Sequence, residues 1–275
     1  MRREQTGQYI HTSDYNYHEL SPKPIEMYVF LDPLCPECWS LEPYIRKLSI
    51  EYGRFFTHRS IVSTLFHPVN SKKQSIREHT TCQKENEITC PWNVSIAIKA
   101  AEIQGKKSAK MFLRKLQEYV FIKNEDVSKD DILIKIAEEI NIDVDEFLED
   151  LHGTSAKRAF QCDVKLTREM EITHKPTIIF FNQDSDDCGI KIPGVYPYEV
   201  YELILQELLE MIPIPSQKPP LETFVKKHGV VSSHEISIIY DWTPSKTEKE
   251  LKKLQFKQSV QRFQIEDRDF WRSIL

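Results

Sequence analysis

The chain has 275 residues, of which 40% are hydrophobic and 29% are charged, and its formal net charge is -5. This length suits one large core or a medium core with an appendage, and the composition excludes a disordered or fibrous protein. The negative charge argues against a general affinity for nucleic acid or for an anionic membrane, because both need a basic face. No apolar run approaches the ~18 residues that span a bilayer, and the polar start lacks the apolar core of a secretory signal. We therefore expect a cytoplasmic protein, in which six cysteines do not form a disulfide framework.

The first 24 residues are polar, lack periodicity and end in Ser-Pro-Lys-Pro, which predicts a flexible arm. The next run, IEMYVFLD from Ile25, has the length and the β-branched or aromatic content of a buried strand. It leads through PLCPEC into a helix from Glu37 to about Tyr52, and RFFTHRSIVST follows as a second strand. This order predicts a βαβ unit with a right-handed crossover.

The middle of the chain, about residues 70–172, is predicted to be a helical insertion, because apolar residues recur there at steps of three and four. Ser128 and Asp143 are predicted N-caps, since each has an acidic residue three positions later. After the insertion, KPTIIFFN is a predicted strand, CGIKIPGV its antiparallel neighbour and YPYEVYELILQELLEMI a helix. These elements assign residues 25–212 to one domain.

Residues 213–220, PIPSQKPP, hold four prolines and predict a semi-rigid linker. Residues 221–275 then show three short helical patterns and a strand-like end, which predicts a small module of winged-helix type. Its charges are nearly balanced, and TEKELKKL alternates in sign as a solvated helix face does. Because DNA recognition needs a basic stripe, we expect a protein-contact module and no nucleic-acid partner.

Cys35 and Cys38 lie one helical turn apart where the first strand gives way to the first helix. Free backbone N–H groups and the helix dipole favour a thiolate at that end, so Cys35 is the predicted attacking thiol and Cys38 the resolving thiol. Glu37 between them opposes thiolate formation. The alternative is that both thiols chiefly pack the turn.

A metal site is a second interpretation of the same motif, because Cys-x-x-Cys is half of a tetrahedral zinc set. His11 and His18 in the arm are weak candidates for the other half, although histidines on a flexible segment are more often solvated. His58, His67 and His174 could shuttle protons near the pair, with core or surface positions as the alternative.

The chain order resembles the DsbA family of the thioredoxin fold, on CPEC at the first helix, the insertion beginning CPWNVSIAIKAAEIQGKK, and HKPTIIFF after it. The resemblance covers Ile25 to Ile212 and implies an α/β, thioredoxin-like domain with an inserted helical subdomain. It places Pro176 at the family's cis-proline and Lys175 beside it, facing the cysteines and favouring a thiolate. The family usually has a small or β-branched residue at that position.

A narrower resemblance rests on DPLCPECWSLEP, KLSIEYGRFF and the tail EDRDFWRSI, and it spans essentially the whole chain. These segments are similar to a family of cytosolic adaptors that present the transcription regulator Spx to the ClpXP protease. The resemblance implies a non-catalytic adaptor without a cofactor, with Spx as partner and ClpXP engaged directly or only through Spx. The alternatives are a cytosolic DsbA- or FrnE-like thiol-disulfide oxidoreductase that uses Cys35 and Cys38, and a zinc-held redox sensor.

Overall fold

A computed structural model describes residues 23–63, 92–182, 189–265 and 268–274. The strands are β1 (Ile25–Leu31), β2 (Phe56–Val62), β3 (Thr177–Asn182), β4 (Ile190–Pro193), β5 (Val230–Ser232), β6 (Val260–Ile265) and β7 (Arg268–Ser273). The helices are α1 (Pro36–Tyr52), α2 (Trp92–Ile103), α3 (Lys106–Phe121), α4 (Asp130–Glu139), α5 (Val144–His152), α6 (Ser155–Glu169), α7 (Tyr198–Leu209), α8 (Leu221–His228), α9 (Ser233–Tyr240) and α10 (Pro244–Phe256). None of the helices in the described ranges has the length and apolarity to cross a membrane.

The first four strands form one sheet in the order β2-β1-β3-β4. β1 and β2 are parallel, with Ile25 opposite Phe56, so α1 makes the crossover of the predicted βαβ unit. β3 runs antiparallel to both β1 and β4. The strand-helix-strand unit and the later antiparallel pair are therefore confirmed.

The main core lies on one face of this sheet. Met27 and Phe180 point into it from the strands, where they meet Leu48 of α1, Tyr201 of α7 and apolar side chains of α2 to α6. The opposite face carries a smaller cluster with Ile172 beyond the end of α6. Each fully buried aliphatic or aromatic side chain contributes roughly 1.5–3 kcal/mol through the hydrophobic effect, so α1 is held firmly along its length.

The middle of the chain is helical from α2 to α6, as predicted. Asp143 caps α5 by accepting a hydrogen bond from the Glu146 N–H at 2.9 Å, which confirms that cap. The Ser128 cap is wrong: Lys129 is the N-cap of α4, and the Ser128 hydroxyl donates to Asp126 at 2.5 Å. The aspartate two residues earlier captures the serine in a local turn before the helix begins.

The C-terminal module, residues 221–274 as described, has the element order α8-β5-α9-α10-β6-β7. Its three helices and its strand-like end are confirmed, and its sheet has the order β5-β7-β6. Strand β5 was not predicted, because three residues show no periodicity. Phe224, Ile236, Leu251 and Trp271 form the centre of a separate apolar cluster.

The module packs against α1 of the thioredoxin-like domain. Ile50 of α1 joins the module's apolar cluster. Glu235 of α9 pairs with Arg46 of α1 at 2.5 Å and with Arg114 of α3 at 3.0 Å. The predicted linker has no helix or strand, yet the Ser216 N–H donates to the backbone of α1 at 2.8 Å. The module is thus fixed to the helix that carries the two cysteines.

Candidate dithiol site

The two cysteines lie where β1 ends and α1 begins. Cys35 is the N-cap of α1 with an extended backbone, and Pro36 occupies the first helical position, where its fixed φ and missing N–H suit a helix start. The Cys35 N–H donates to the Asp32 carbonyl at 3.1 Å, which closes the turn between strand and helix. Both cysteines are free thiols, and Cys35 is only partly buried. The turn after β1 and the start of α1 therefore place Cys35 partly exposed at the surface.

Cys38 lies one turn inside the helix and is only 6% exposed. Burial raises the pKa of the Cys38 thiol well above its usual range, although the Asp32 N–H donates to its sulfur at 3.4 Å and acts in the opposite direction. Cys38 therefore stays protonated until another group removes its proton. Cys35 is thus the more accessible of the two thiols, and the attacking and resolving roles stay a prediction.

The Lys175 ammonium is close enough to Asp32 and both cysteines to interact with their charges, and the Lys175–Pro176 peptide bond is cis. The lysine is 6% exposed, and its ammonium group donates to the Ser63 carbonyl. Burial lowers the pKa of Lys175 to about 8, while Asp32 and the two cysteines favour its charged form. Near neutral pH the site therefore holds a buried positive charge that attracts a thiolate.

The Glu37 carboxylate lies across from the His174 ring. Glu37 Oε1 is 3.6 Å from His174 Nε2, and both side chains are about half exposed. Gly194 is next to the two groups with a φ of +88°, and its N–H donates to the Pro176 carbonyl at 2.7 Å. A side chain there would be strained. The Glu37–His174 contact spans the gap between α1 and the cis-proline loop.

A small cavity of about 20 Å³ lies behind Cys38 and is lined in part by Glu42, His58 and Ser60. This volume suits about one water molecule. Burial lowers the pKa of His58 to about 3, with a smaller effect from Lys110. His58 is therefore neutral at physiological pH and can accept or donate one hydrogen bond in this cavity.

Sequence reasoning did not foresee the surroundings of Trp39, the residue after Cys38. The Trp39 ring lies 5.5 Å from the Phe121 ring, and the Arg114 guanidinium is 4.5 Å from its centre. Arg114 also binds Glu235 of the module. The helical spacing of Phe121 indicated only core packing, and no local signal pairs Arg114 with a residue more than a hundred positions away.

The structure does not test the zinc hypothesis. His11, His18 and His67 lie outside the described residues. Within the ranges that the structure describes, no three histidine, cysteine or acidic side chains form a group that could hold a metal ion. Zinc binding by the arm stays a prediction.

Comparison with known proteins identifies the chain's family. Residues 28–203 match the family model described as Thioredoxin. The protein named ClpXP adapter protein SpxH of Bacillus subtilis is 41% identical over 94% of this chain and 92% of its own length. The protein of the same name in Halalkalibacterium halodurans is 40% identical over 91% of this chain and 89% of its length. The chain belongs to the SpxH family.

Solved structures agree with the fold of this SpxH family member. A proposed protein disulfide isomerase from Nitrosomonas europaea gives a TM-score of 0.55 at 18% identity, covering 68% of this chain and 98% of its own. The alpha-DsbA1 protein of Wolbachia pipientis gives 0.51 at 15% identity, covering 69% and 88%. These likenesses confirm the DsbA-like thioredoxin fold alone. They cover about two thirds of the chain, so the winged-helix likeness of the C-terminal module stays a prediction.

Proposed function

We propose that this chain is a cytoplasmic adaptor that binds the transcription regulator Spx and promotes its degradation by the ClpXP protease. The observation that carries the proposal is the match to SpxH proteins over 94% of the chain, because it includes the C-terminal module as well as the thioredoxin domain. An adaptor role for ClpXP is supported by the name of these relatives, and Spx as the cargo is our further step.

The dithiol site is compatible with a scaffold role. Lys175 turns its side chain inward to the Ser63 carbonyl, and Glu37 with His174 lies across the gap beside the cis-proline. Both features fill or screen the surface where a thioredoxin-like enzyme would receive an extended substrate. The domain then acts as a folded docking body, and its module adds a second surface.

The physical basis of adaptor action is a population shift. A protease engages a degradation tail only in a competent conformation, and the apparent affinity falls by the fraction of time that conformation is populated. An adaptor that binds the competent state of Spx better than the others raises that fraction. No chemical step by the adaptor is needed.

The test is degradation of purified Spx by ClpXP, with and without this protein, using wild type and the double variant Cys35→Ser, Cys38→Ser. Cys162→Ser is the matched control, because Cys162 is exposed on α6 and distant in sequence from the dithiol. We expect all three proteins to accelerate proteolysis equally. If wild type fails to accelerate it, the adaptor proposal is wrong.

A thiol-disulfide oxidoreductase is the second candidate, favoured by the free dithiol at the start of α1 and by the buried Lys175 ammonium near it. In that reaction the Cys35 thiolate attacks a substrate disulfide, and Cys38 then displaces the reduced substrate and forms the Cys35–Cys38 disulfide. Glutathione supplies the two electrons that restore the dithiol. Reduction of insulin disulfides with glutathione measures this activity, and Cys35→Ser would abolish it.

A further inference from the structure

Helix α7 carries an exposed apolar and acidic stripe, which we call the acidic face. It consists of Glu199, Leu203 and Glu207, which follow one another at steps of four residues and therefore share one side of the helix, and of Met211, which lies just beyond the helix end after the left-handed residue Glu210. Leu203 is 62% exposed and Met211 is 53% exposed. The opposite side of α7 is buried in the main core through Tyr201. The exposed leucine and methionine do not serve the fold of α7.

The acidic face has a uniform charge. Between residues 192 and 217 the sequence contains four glutamates and no lysine, arginine or histidine. Glu199, Glu207 and Glu210 have no ion pair within the part of the chain that the structure describes. Their charge is therefore available to a cationic surface.

Helix α10 carries the complementary stripe, which we call the basic face. Together with Glu248, its members line one open groove of about 470 Å³. These members are Ser245, Lys249, Lys252, Lys253 and Phe256. Phe256 is 88% exposed at the end of the stripe. Glu248 and Glu250 pair with Lys252 and Lys253, whereas Lys249 has no acidic partner among the described residues. The face therefore keeps an excess of positive charge beside one aromatic ring.

Neither face is used by the packing of the module on the thioredoxin domain. That packing runs mainly through α9 against α1, while α10 lies on α9 and β6. Helix α7 packs on α1 through its buried side. Among the residues that the structure describes, both stripes therefore remain open to solvent.

We propose that a second copy of this chain is the occupant, with the acidic face of one copy bound to the basic face of the next. The acidic face spans about two turns of α7 plus Met211, and the basic face about three turns of α10. Each joins apolar side chains to charges of one predominant sign, so the two match in polarity and charge. Burying Leu203 and Phe256 across the contact supplies the apolar part. The glutamates on α10 disfavour nucleic acid as the occupant of the basic face, because they repel phosphates.

A contact between two different faces is heterologous, and it has a consequence for the assembly. Each added copy leaves one acidic and one basic face free at the ends, so the species grows in steps with concentration. The charge pairs are exposed, so association weakens as the salt concentration rises. This inference goes beyond the proposed function and does not rest on it.

Sedimentation velocity of the full chain at rising micromolar concentrations and low salt tests the proposal. One capped variant, Leu203→Ser with Met211→Ser, removes the apolar part of the acidic face. The other, Phe256→Ser with Lys249→Ser, removes the centre of the basic face. Ile103→Ser on α2 is the control, because it removes another exposed apolar side chain outside both faces.

We expect wild type and Ile103→Ser to associate in steps, and each capped variant to associate at least about tenfold more weakly, since a buried leucine or phenylalanine contributes more than the 1.4 kcal/mol that a factor of ten represents. A mixture of the two capped variants should form a one-to-one complex and stop there, because each retains the face that the other lacks. A monomeric wild type at all concentrations would overturn the proposal, as would a capped variant that still associates alone. Binding of a DNA duplex to the basic face without self-association would also overturn it.

Discussion

The two ends of helix α1 hold charge in different ways. At its beginning, a single buried ammonium, Lys175, lies beside two thiols and is bound to a backbone carbonyl. Farther along, Arg46 is also buried, but it meets two carboxylates, Glu235 of the module and Glu42 of its own helix. The Lys175 charge is bound to a neutral carbonyl oxygen and is not neutralised by it. The Arg46 charge is neutralised by its carboxylate partners. The buried charge at the dithiol end therefore costs free energy of folding and favours reactivity. The ion pairs at the module end of α1 stabilise the folded protein.

The difference reflects what each end must do. An unpaired buried charge costs free energy and shifts its own pKa, which is a common property of reactive sites. A buried charge with hydrogen-bonded partners fixes one arrangement of two surfaces, because removing any partner leaves the others uncompensated. We infer that the network around Glu235 sets the position of the module on α1.

The largest expected effect comes from Glu235→Ala, which breaks the ion pairs of Glu235 with Arg46 and Arg114 at the module end of α1. Arg46 and Arg114 would remain buried without their shared carboxylate, so we expect the free energy of unfolding to fall by about 3–5 kcal/mol. The linker at residues 213–220 should also become cleavable, because the module no longer holds to α1. Urea unfolding and limited proteolysis measure the two effects.

A matched control for that change is Glu250→Ala on α10. Glu250 also forms a short ion pair, at 2.6 Å with Lys253, but both side chains are at the surface. Solvent screens an exposed pair, so we expect Glu250→Ala to leave the free energy of unfolding close to that of wild type. If the two variants lose similar stability, the Glu235 network does not differ from a surface pair and our comparison is wrong.

The opposite sign is expected at the other end, from Lys175→Met. Removing a buried ammonium should raise the free energy of unfolding at pH 7 by about 1–3 kcal/mol. In wild type the folded state loses the Lys175 proton near pH 8, whereas the unfolded chain holds it to about pH 10.5. Wild-type stability therefore rises through that window and the advantage of Lys175→Met disappears.

Urea unfolding at pH 7 and pH 10 measures this difference. Lys191→Met is the control, because Lys191 is exposed on β4 and is already bound to a backbone carbonyl at 2.6 Å. An advantage of Lys175→Met that persists unchanged at pH 10 would contradict the charge argument.

Much of the fold could be predicted because its signals are local. The strand β1, the helix α1 and the cap at Asp143 depend on periodicity or on a side chain within three residues. Ser128 failed as a cap because the closer Asp126 competes for its hydroxyl. Strand β5 was missed because its pairing with β7 joins residues about forty positions apart.

The candidate site divides in the same way. The positions of Cys35, Cys38 and Pro176 could be read from motifs, and Lys175 was expected to face the thiols. The sequence could not indicate that Lys175 binds the Ser63 carbonyl or that Arg114 joins Trp39 to Glu235, because those contacts depend on how distant elements pack. Ion pairs between residues far apart in the chain produce no periodic pattern in the sequence.

The last expected effect concerns His228, which lies near Arg46 and Glu235 at the module end of α1. Burial lowers the pKa of His228 to about 3, and nearby Arg46 adds to this while Glu235 opposes it. The unfolded chain binds a proton at His228 near pH 6.5 but the folded chain does not, so stability is lost as pH falls below about 6.5. The stability lost between pH 7 and pH 5 should be about 2 kcal/mol smaller in His228→Phe than in wild type.

Phenylalanine suits this test because the His228 ring already packs against Phe224 at 4.4 Å. Arg46, Arg114, Lys227 and Glu235 face or adjoin the ring, and their charges remain in the variant. The control is His234→Phe, because His234 is exposed on α9 and the variant makes the same replacement of a histidine ring by a phenylalanine ring. If His228→Phe and His234→Phe lose stability on acidification equally, His228 is hydrated in solution. The pH dependence of stability in this region would then come from Glu235. Burial raises the pKa of Glu235, but Arg114 and Arg46 lower it further, so that the net shift is downward.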